Sequence, residues 1–390
     1  MAGTTDGQGT GADGWVVVAD GPGTPTCDPV AEGRRSGIHE GSLWLGWTLE
    51  SRDWADRLGD WPAATYMPAY ALRDAARDGR VRYLPVRLGS IPALLGGWLR
   101  PRLAVVRAVP RGGGFAFAEN VGYADTAARL ADEVVVQVVE DAPDIGGPLV
   151  EGRIVRVLDG GEAATPPALT EPGEADRRIA EAAASLIPDG ATVQYGVGAL
   201  PDAVVAGITS RVSVVSGLIT DAVARLDDQG LLAGEVIASY AWGPAVVALA
   251  GTGRVRPVGL AEFHRGARLA STPNFVAVNT ALEVGLDGAV NIERAGGRQV
   301  AGMGGHADYS AAASASTGGF SIVVLRSSRA GRSSIVVRPE VVSTPRTDVH
   351  VLVTEHGIAD LRGLDDEGRR AAIIAVADPE HREALEQAAG

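Results

Sequence analysis

Short apolar runs rich in β-branched residues alternate with Ala-, Arg- and Glu-rich stretches of helical spacing along the whole chain, and this alternation constrains the fold most. WVVVAD, VRYLPVRL, LAVVRAVP and EVVVQVV mark the first half, with AYALRDAARDG and YADTAARLADE between them. ATVQYGV, VSVV, VIASYAW, NFVAVN, SIVVLRSS and DVHVLVTE mark the second, with RRIAEAAASLIPDG and LPDAVVAGI as helices. Strand-length runs joined by amphipathic segments predict an α/β class, with open sheets and helical crossovers. At 390 residues the chain is longer than the ~250–300 over which one core grows, so two α/β domains are expected.

The seam between them is predicted near Thr165 to Pro172, where Gly and three prolines in DGGEAATPPALTEPGEADRR interrupt any periodicity. The expected division is a disordered tail over 1–13, a first domain over 14–168 and a second over 169–390. The tail is small, polar and Gly-rich, without the basic and apolar regions of a secretory signal, which predicts a cytoplasmic protein. A glycine turn follows a strand in both halves, ADGPGTP (Ala19 to Pro25) and QYGVGALPDAV (Gln194 to Val204), and hints at an internal duplication.

Charge and composition exclude several chemistries. The net charge is −13 and the chain contains no lysine, so Schiff-base and P-loop lysine chemistry are ruled out. The acidic balance argues against nucleic-acid partners, which need basic patches. No run approaches the ~20 apolar residues of a membrane span. Cys27 is the sole cysteine, so no intramolecular disulfide or multi-cysteine metal site can form. His39, His264, His306, His350, His356 and His381 lack the short spacing of a catalytic zinc site, so no metal is expected.

The chemistry-bearing segments are glycine loops. Gly196 and Gly198 lie between an apolar strand and a helix expected from Pro201 and Asp202, where backbone amides and a helix N-terminus favour an anion. A tight packing turn explains the same pair. Gly302, Gly304 and Gly305 precede His306 and Asp308, and such a run of amides can hold an oxyanion; a flexible loop is the alternative.

Taken in order, GVGALPDAV, LEVGLDGAVNIE, AGMGGHADY, STGGFSIVVL and DVHVLVTEHGIADLRG resemble the motif set of the acetyl-CoA hydrolase/CoA-transferase family. YMPAYALRDAARDGRVRYLPVRLGSIPALL, from Tyr66 to Leu95, resembles that family's first domain. The resemblance runs from about Trp15 to the C-terminus. It implies two related α/β domains of the CoA-transferase type, with an active-site cleft between them that takes coenzyme A or an acyl-CoA, and a homodimer or larger oligomer. It also implies that Gly196 and Gly198 lie near the acyl or CoA moiety, and that Gly302 to Gly305 form part of the oxyanion environment. Gly357, Ala359, Asp360 and Leu361 would be its structural C-terminal signature.

Ordinary members of that family attack the thioester with a glutamate carboxylate and pass through an enzyme-bound glutamyl-CoA thioester. In this sequence Gly217, within Val215-Ser216-Gly217-Leu218-Ile219-Thr220-Asp221, stands where the resemblance expects the glutamate. Loss of a catalytic nucleophile commonly costs ~10⁴–10⁶ in rate. The first reading is therefore an enzyme that passes an acyl group from acyl-CoA or an acyl-carrier thioester directly to water or a small-molecule acceptor, in a specialised or secondary pathway. His306, where relatives carry glutamine, is the expected base, with a hydrogen-bonding polar side chain as the alternative. His264, in Glu262-Phe263-His264, is a lesser candidate for which a surface position is the simpler reading. The second reading keeps ordinary CoA-transferase or hydrolase chemistry on a relocated glutamate, Glu119 first and Glu40 second. The third is a catalytically inactive CoA-binding protein. Cys27 is discounted as a nucleophile because free cysteines are usually small buried hydrophobes.

Overall fold

The computed structural model describes residues 12–49, 57–118, 120–139, 142–161, 171–264 and 266–389. The chain divides into two compact units, Met1–Val86 with Ser90–Pro166 and Pro257–Ala261, and Arg87–Gly89 with Pro167–Arg256 and Glu262–Gly390. Residues 1–11 of the expected tail lie outside the described residues. Asp13, also in that tail, already holds structure: its carboxylate accepts the backbone N–H groups of His39 at 2.8 Å and Glu40 at 2.9 Å.

The first unit is a twisted, mostly parallel sheet of β1 (Trp15–Val18), β2 (Ser42–Leu45), β3 (Ala63–Thr65), β4 (Val81–Tyr83), β5 (Pro101–Arg111), β6 (Gly114–Phe117), β7 (Glu133–Val138) and β8 (Ile154–Asp159). Its order is β4-β3-β2-β1-β5-β7-β8, with β6 paired antiparallel to β5. Val16, Leu43, Leu103, Val105 and Val135 are fully buried in one cluster, as a parallel sheet covered on both faces requires. Just past β1, Asp20 is buried and accepts the Tyr66 hydroxyl at 2.7 Å, while the Asn120 amide donates to its carbonyl at 2.6 Å.

The second unit repeats this plan with β9 (Thr192–Tyr195), β10 (Val212–Thr220), β11 (Leu232–Trp242), β12 (Val255–Pro257), β13 (Phe275–Thr280), β14 (Phe320–Val324), β15 (Val351–Thr354) and β16 (Gly357–Asp360). The order is β12-β11-β10-β9-β13-β14-β15-β16, with β16 paired antiparallel to β15. In both units the first strand sits inside the sheet and the order reverses beside it, so both glycine turns noted in the sequence follow equivalent strands. Parallel strands buried on both faces explain the continuous Val/Ile/Leu runs without alternation. Among the described residues no helix is long and apolar enough to cross a membrane.

The reversal in the second unit is pinned by two buried amides. Gln194 on β9 and Asn279 on β13 bond reciprocally, Asn279 Nδ2 to Gln194 Oε1 at 2.9 Å and Gln194 Nε2 to Asn279 Oδ1 at 3.3 Å. A buried amide left without its partner costs roughly 1–3 kcal/mol. Asn279→Leu is therefore expected to destabilise the protein by about that amount, and adding Gln194→Leu to recover part of the loss. Urea unfolding of the single and double variants checks this; strictly additive losses would contradict it.

Candidate active site

In open α/β sheets ligands bind at the carboxyl ends of the strands where the order reverses. In the second unit that place lies past β9 and β13. Gly198 has φ +133°, a value only glycine adopts without strain, and caps the helix Ala199–Ala206. That helix begins two residues before the expected start at Pro201. A Cβ on Gly196 would lie 3.0 Å from Asn279 Oδ1, so this turn is also tight against the amide pair.

A cavity of about 570 Å³ opens there, lined by Gly198, Leu200, Pro201, Thr280, Arg326 and Arg329 among others. Arg326 forks onto Asp176, its Nε 2.7 Å from Oδ1, and Asp176 also accepts the Gly173 N–H at 2.9 Å. The Arg326 guanidinium holds the Asp176 carboxyl below the usual range, so this ion pair carries no net charge at neutral pH. Glu171 and Arg329 line the same wall, beside the N-terminus of that helix.

A second cluster forms against β10. Gly217 lies on that strand, and a Cβ built on it would meet Tyr309 Oη at 2.7 Å and His264 Nε2 at 3.8 Å. Tyr309 Oη and His264 Nε2 are themselves 2.8 Å apart. A Cβ on Gly305 would meet Tyr309 Cε2 at 2.6 Å and His264 Cε1 at 3.2 Å. Two glycines thus clear the space this aromatic pair fills. Asp308 Oδ2 accepts the Gly89 N–H at 2.9 Å and lies 3.9 Å from His264 Nδ1. Burial raises the Asp308 carboxyl and lifts the Tyr309 hydroxyl well above the ordinary phenol value, while a backbone bond from Gly217 acts the other way on Tyr309. His264 is buried, contrary to the surface position expected of it, and burial lowers its ring to about 3.

His306 opens the helix His306–Ala315, which packs against β13 and β14. Its Nδ1 lies 2.8 Å from Thr344 Oγ1 and 3.5 Å from Ser310 Oγ. Burial lowers its pKa to about 4, only partly offset by its own and the Thr280 backbone carbonyls. The expected base is therefore a neutral ring with weak proton affinity. Thr344 Oγ1 occupies Nδ1, and Nε2 is buried with no hydrogen-bond partner among the described residues.

The other expected residues scatter. Gly304 has φ +54° and its carbonyl accepts the Leu88 N–H at 3.0 Å; Gly302 lies beside it in the same loop. Glu40 is exposed in the first unit, and Glu119 falls outside the described residues. Burial pushes the Cys27 thiol up to about 12, which leaves no thiolate at neutral pH. Among the described residues no group of His, Cys, Asp and Glu is placed to hold a metal ion. Sequence reading missed Tyr309, and the signal was present: it lies three residues past His306 in the loop already singled out.

Two open, mostly parallel α/β sheets, the second with a cavity where its strand order reverses, define the class of the protein. A family model described as acetyl-CoA hydrolase/transferase C-terminal domain matches residues 255–389. The chain is 30% identical over 344 residues to a succinyl-CoA:acetate/propanoyl-CoA:succinate CoA transferase of Fasciola hepatica, covering 81% of this chain and 71% of that one. It is 29% identical over 338 residues to a 4-hydroxybutyrate coenzyme A transferase of Clostridium kluyveri, covering 80% and 78%. The fold matches the crystal structure of RipA from Yersinia pestis with a TM-score of 0.84 at 23% identity, over 97% of this chain and 94% of that one. The chain belongs to the acetyl-CoA hydrolase/CoA-transferase family and is an enzyme of that family.

The two buried histidines set a pH dependence. Unfolded imidazoles titrate near ~6.5, whereas these folded rings stay neutral to about 3 and about 4. Below ~6.5 the unfolded state therefore binds more protons, and stability falls as pH falls. From pH ~6.5 to ~5 the pair is expected to cost about 3 kcal/mol together. Urea unfolding at both pH values checks this: His264→Asn and His306→Gln should each remove about half of the loss, and an unchanged loss in both would contradict the burial account.

Proposed function

We propose that this enzyme takes an acyl-CoA or acyl-carrier thioester and passes the acyl group directly to water or another nucleophile, without a glutamyl-CoA intermediate. The observation that carries this reading is the absence of a side chain at Gly217 together with the Tyr309 hydroxyl 2.7 Å from where a Cβ would begin. A glutamate there would run into Tyr309. The surroundings support thioester chemistry: the Gly302 to Gly305 loop and a neutral His306 offer hydrogen-bond donors to a developing oxyanion. Gly198 and Arg329 around the cavity suit a pantetheine arm and an anionic group.

Direct transfer needs the carbonyl polarised and the acceptor deprotonated as it adds, after which C–S cleavage expels CoA thiolate. With His306 as donor, His306→Gln, which keeps an N–H, is expected to retain far more activity than His306→Ala. Oxyanion donors contribute ~10²–10³ in rate, so the alanine variant should lose about that much in kcat. Equal losses in both would remove His306 from this role.

Trapping tests the intermediate. Incubation with a panel of short-chain acyl-CoAs, then borohydride or hydroxylamine, followed by mass spectrometry, is expected to yield no modified glutamate; a labelled Glu40 or Glu119 would overturn the proposal. Gly217→Glu alone is expected not to create a glutamyl adduct, because the Tyr309 hydroxyl stands in its path. Gly217→Glu with Tyr309→Phe removes that oxygen and leaves Tyr309 Cζ, which lies 3.7 Å from a Cβ at residue 217, in ordinary contact. Adduct formation is expected only in the double variant.

A further inference from the structure

We infer that Glu355 and Asp378 are positioning residues: together they grip the root of the hairpin that carries Arg329 and so set how tightly the cavity takes the thioester. This deepens the reading of the cavity as a thioester site and rests on it. The hairpin pairs Ser328–Arg329 with Arg332–Ser333 and joins them through Ala330 and Gly331. Arg326, Ser328, Arg329 and Ala330 all line the cavity, so the approach to the hairpin and its first strand form one of the walls.

Left to itself this hairpin is poorly fixed. Both turn residues have positive φ, +48° at Ala330 and +72° at Gly331, as a two-residue connection between twisted strands requires. Glycine adopts that backbone freely, whereas an alanine is strained there. Arg329 and Arg332 stand directly opposite each other across the pair, and like charges in that relation repel. Each strand is only two residues long, and a two-stranded ribbon holds poorly in water without support. Turn and cross-strand pair both work against the shape they belong to, so the placement of Arg329 has to come from the root.

The root is held on both sides of the chain. Successive side chains of an extended segment point opposite ways, and here two successive serines each meet a different carboxylate. Glu355, just past β15, accepts the Ser327 N–H at 2.9 Å with one oxygen and the Ser327 hydroxyl at 2.8 Å with the other. Asp378, just before the helix Pro379–Ala389, accepts the Ser328 hydroxyl at 2.6 Å. The Ser327 carbonyl accepts the Ser334 N–H at 2.8 Å, which ties the returning strand to the same gripped residue. One position earlier, Arg326 forks onto Asp176. Three consecutive side chains are thus each tied to a carboxylate from a separate element, and Arg329 is the next residue along the cavity wall.

Asp378 also accepts the Glu380 N–H at 3.0 Å with its other oxygen, so its removal loosens a helix end as well as the hairpin, and the test has to separate the two. Glu355→Ala leaves the buried Ser327 without its acceptor and endangers folding, so Asp378 and Ser328 carry the test. The readouts are the Kd of CoA by calorimetry, and KM and kcat for the fastest acyl-CoA of a C2–C6 panel. Asp378→Ala and Ser328→Ala should each weaken CoA by ~5–10-fold, the worth of one hydrogen bond, and raise KM alike with kcat little changed. Asp378→Asn, which can donate to the same hydroxyl while its oxygen still caps the helix, should recover most of the loss. The double variant should lose no more than either single one, because both break the same bond. With Arg329→Gln already in place, Asp378→Ala should add nothing, since the clamp acts through Arg329. An unchanged Kd in Asp378→Ala, or an equal further loss in the Arg329→Gln background, would overturn the proposal and leave Asp378 a helix cap. A trapped glutamate adduct would defeat direct transfer and leave the clamp standing, whereas a wild-type protein that does not bind CoA would defeat the clamp together with the thioester reading.

Discussion

The reversal of strand order between β9 and β13 is the constraint on which the second unit depends. Because β9 lies inside a parallel sheet, its carboxyl end has neighbours that leave on both sides, and no connection covers it. The Gln194–Asn279 pair satisfies two buried amides at that point and holds the two strands in register. The turn that follows holds Gly198 at a positive φ, and the first residues of the helix beginning at Ala199 line the cavity beyond. On the neighbouring strand β10, Gly217 lies within reach of Tyr309 and His264.

The surroundings of Gly217 hold a neutral hydrogen-bonded pair, Tyr309 and His264. A carboxylate in so buried a place would demand compensating donors or lose its charge. A phenol and an imidazole at 2.8 Å meet no such cost, since each satisfies the other. His306 shows the same preference for neutrality, held by Thr344 at the start of a helix whose dipole disfavours an imidazolium.

Much of the fold was legible in the sequence. The apolar runs fall on strands because a doubly covered parallel sheet buries both faces of each, and the glycine turn at 196 to 198 falls where expected. The helix from His306 was not legible: HADYSAAASA carries mostly small residues buried on several sides, so no amphipathic stripe marks it. Strand β8, with alternating exposure, and the short β2 and β3 also escaped notice. At the site, the glycine at 217 was readable as a departure from a pattern, but its meaning was not. Tyr309 and His264 are 45 positions apart, and only folding reveals that one fills the space the other frames. The lowered proton affinity of His306 is likewise a consequence of burial that residue type alone does not carry.

The account stands on what surrounds the thioester carbon at the moment of attack. A crystal structure with a non-hydrolysable acyl-CoA analogue measures this directly. Direct transfer predicts a water or acceptor ~3–3.5 Å from the acyl carbon, with no glutamate carboxylate at that distance. A glutamate oxygen in line with the carbonyl at ~3–3.5 Å, from any part of the chain, would contradict it.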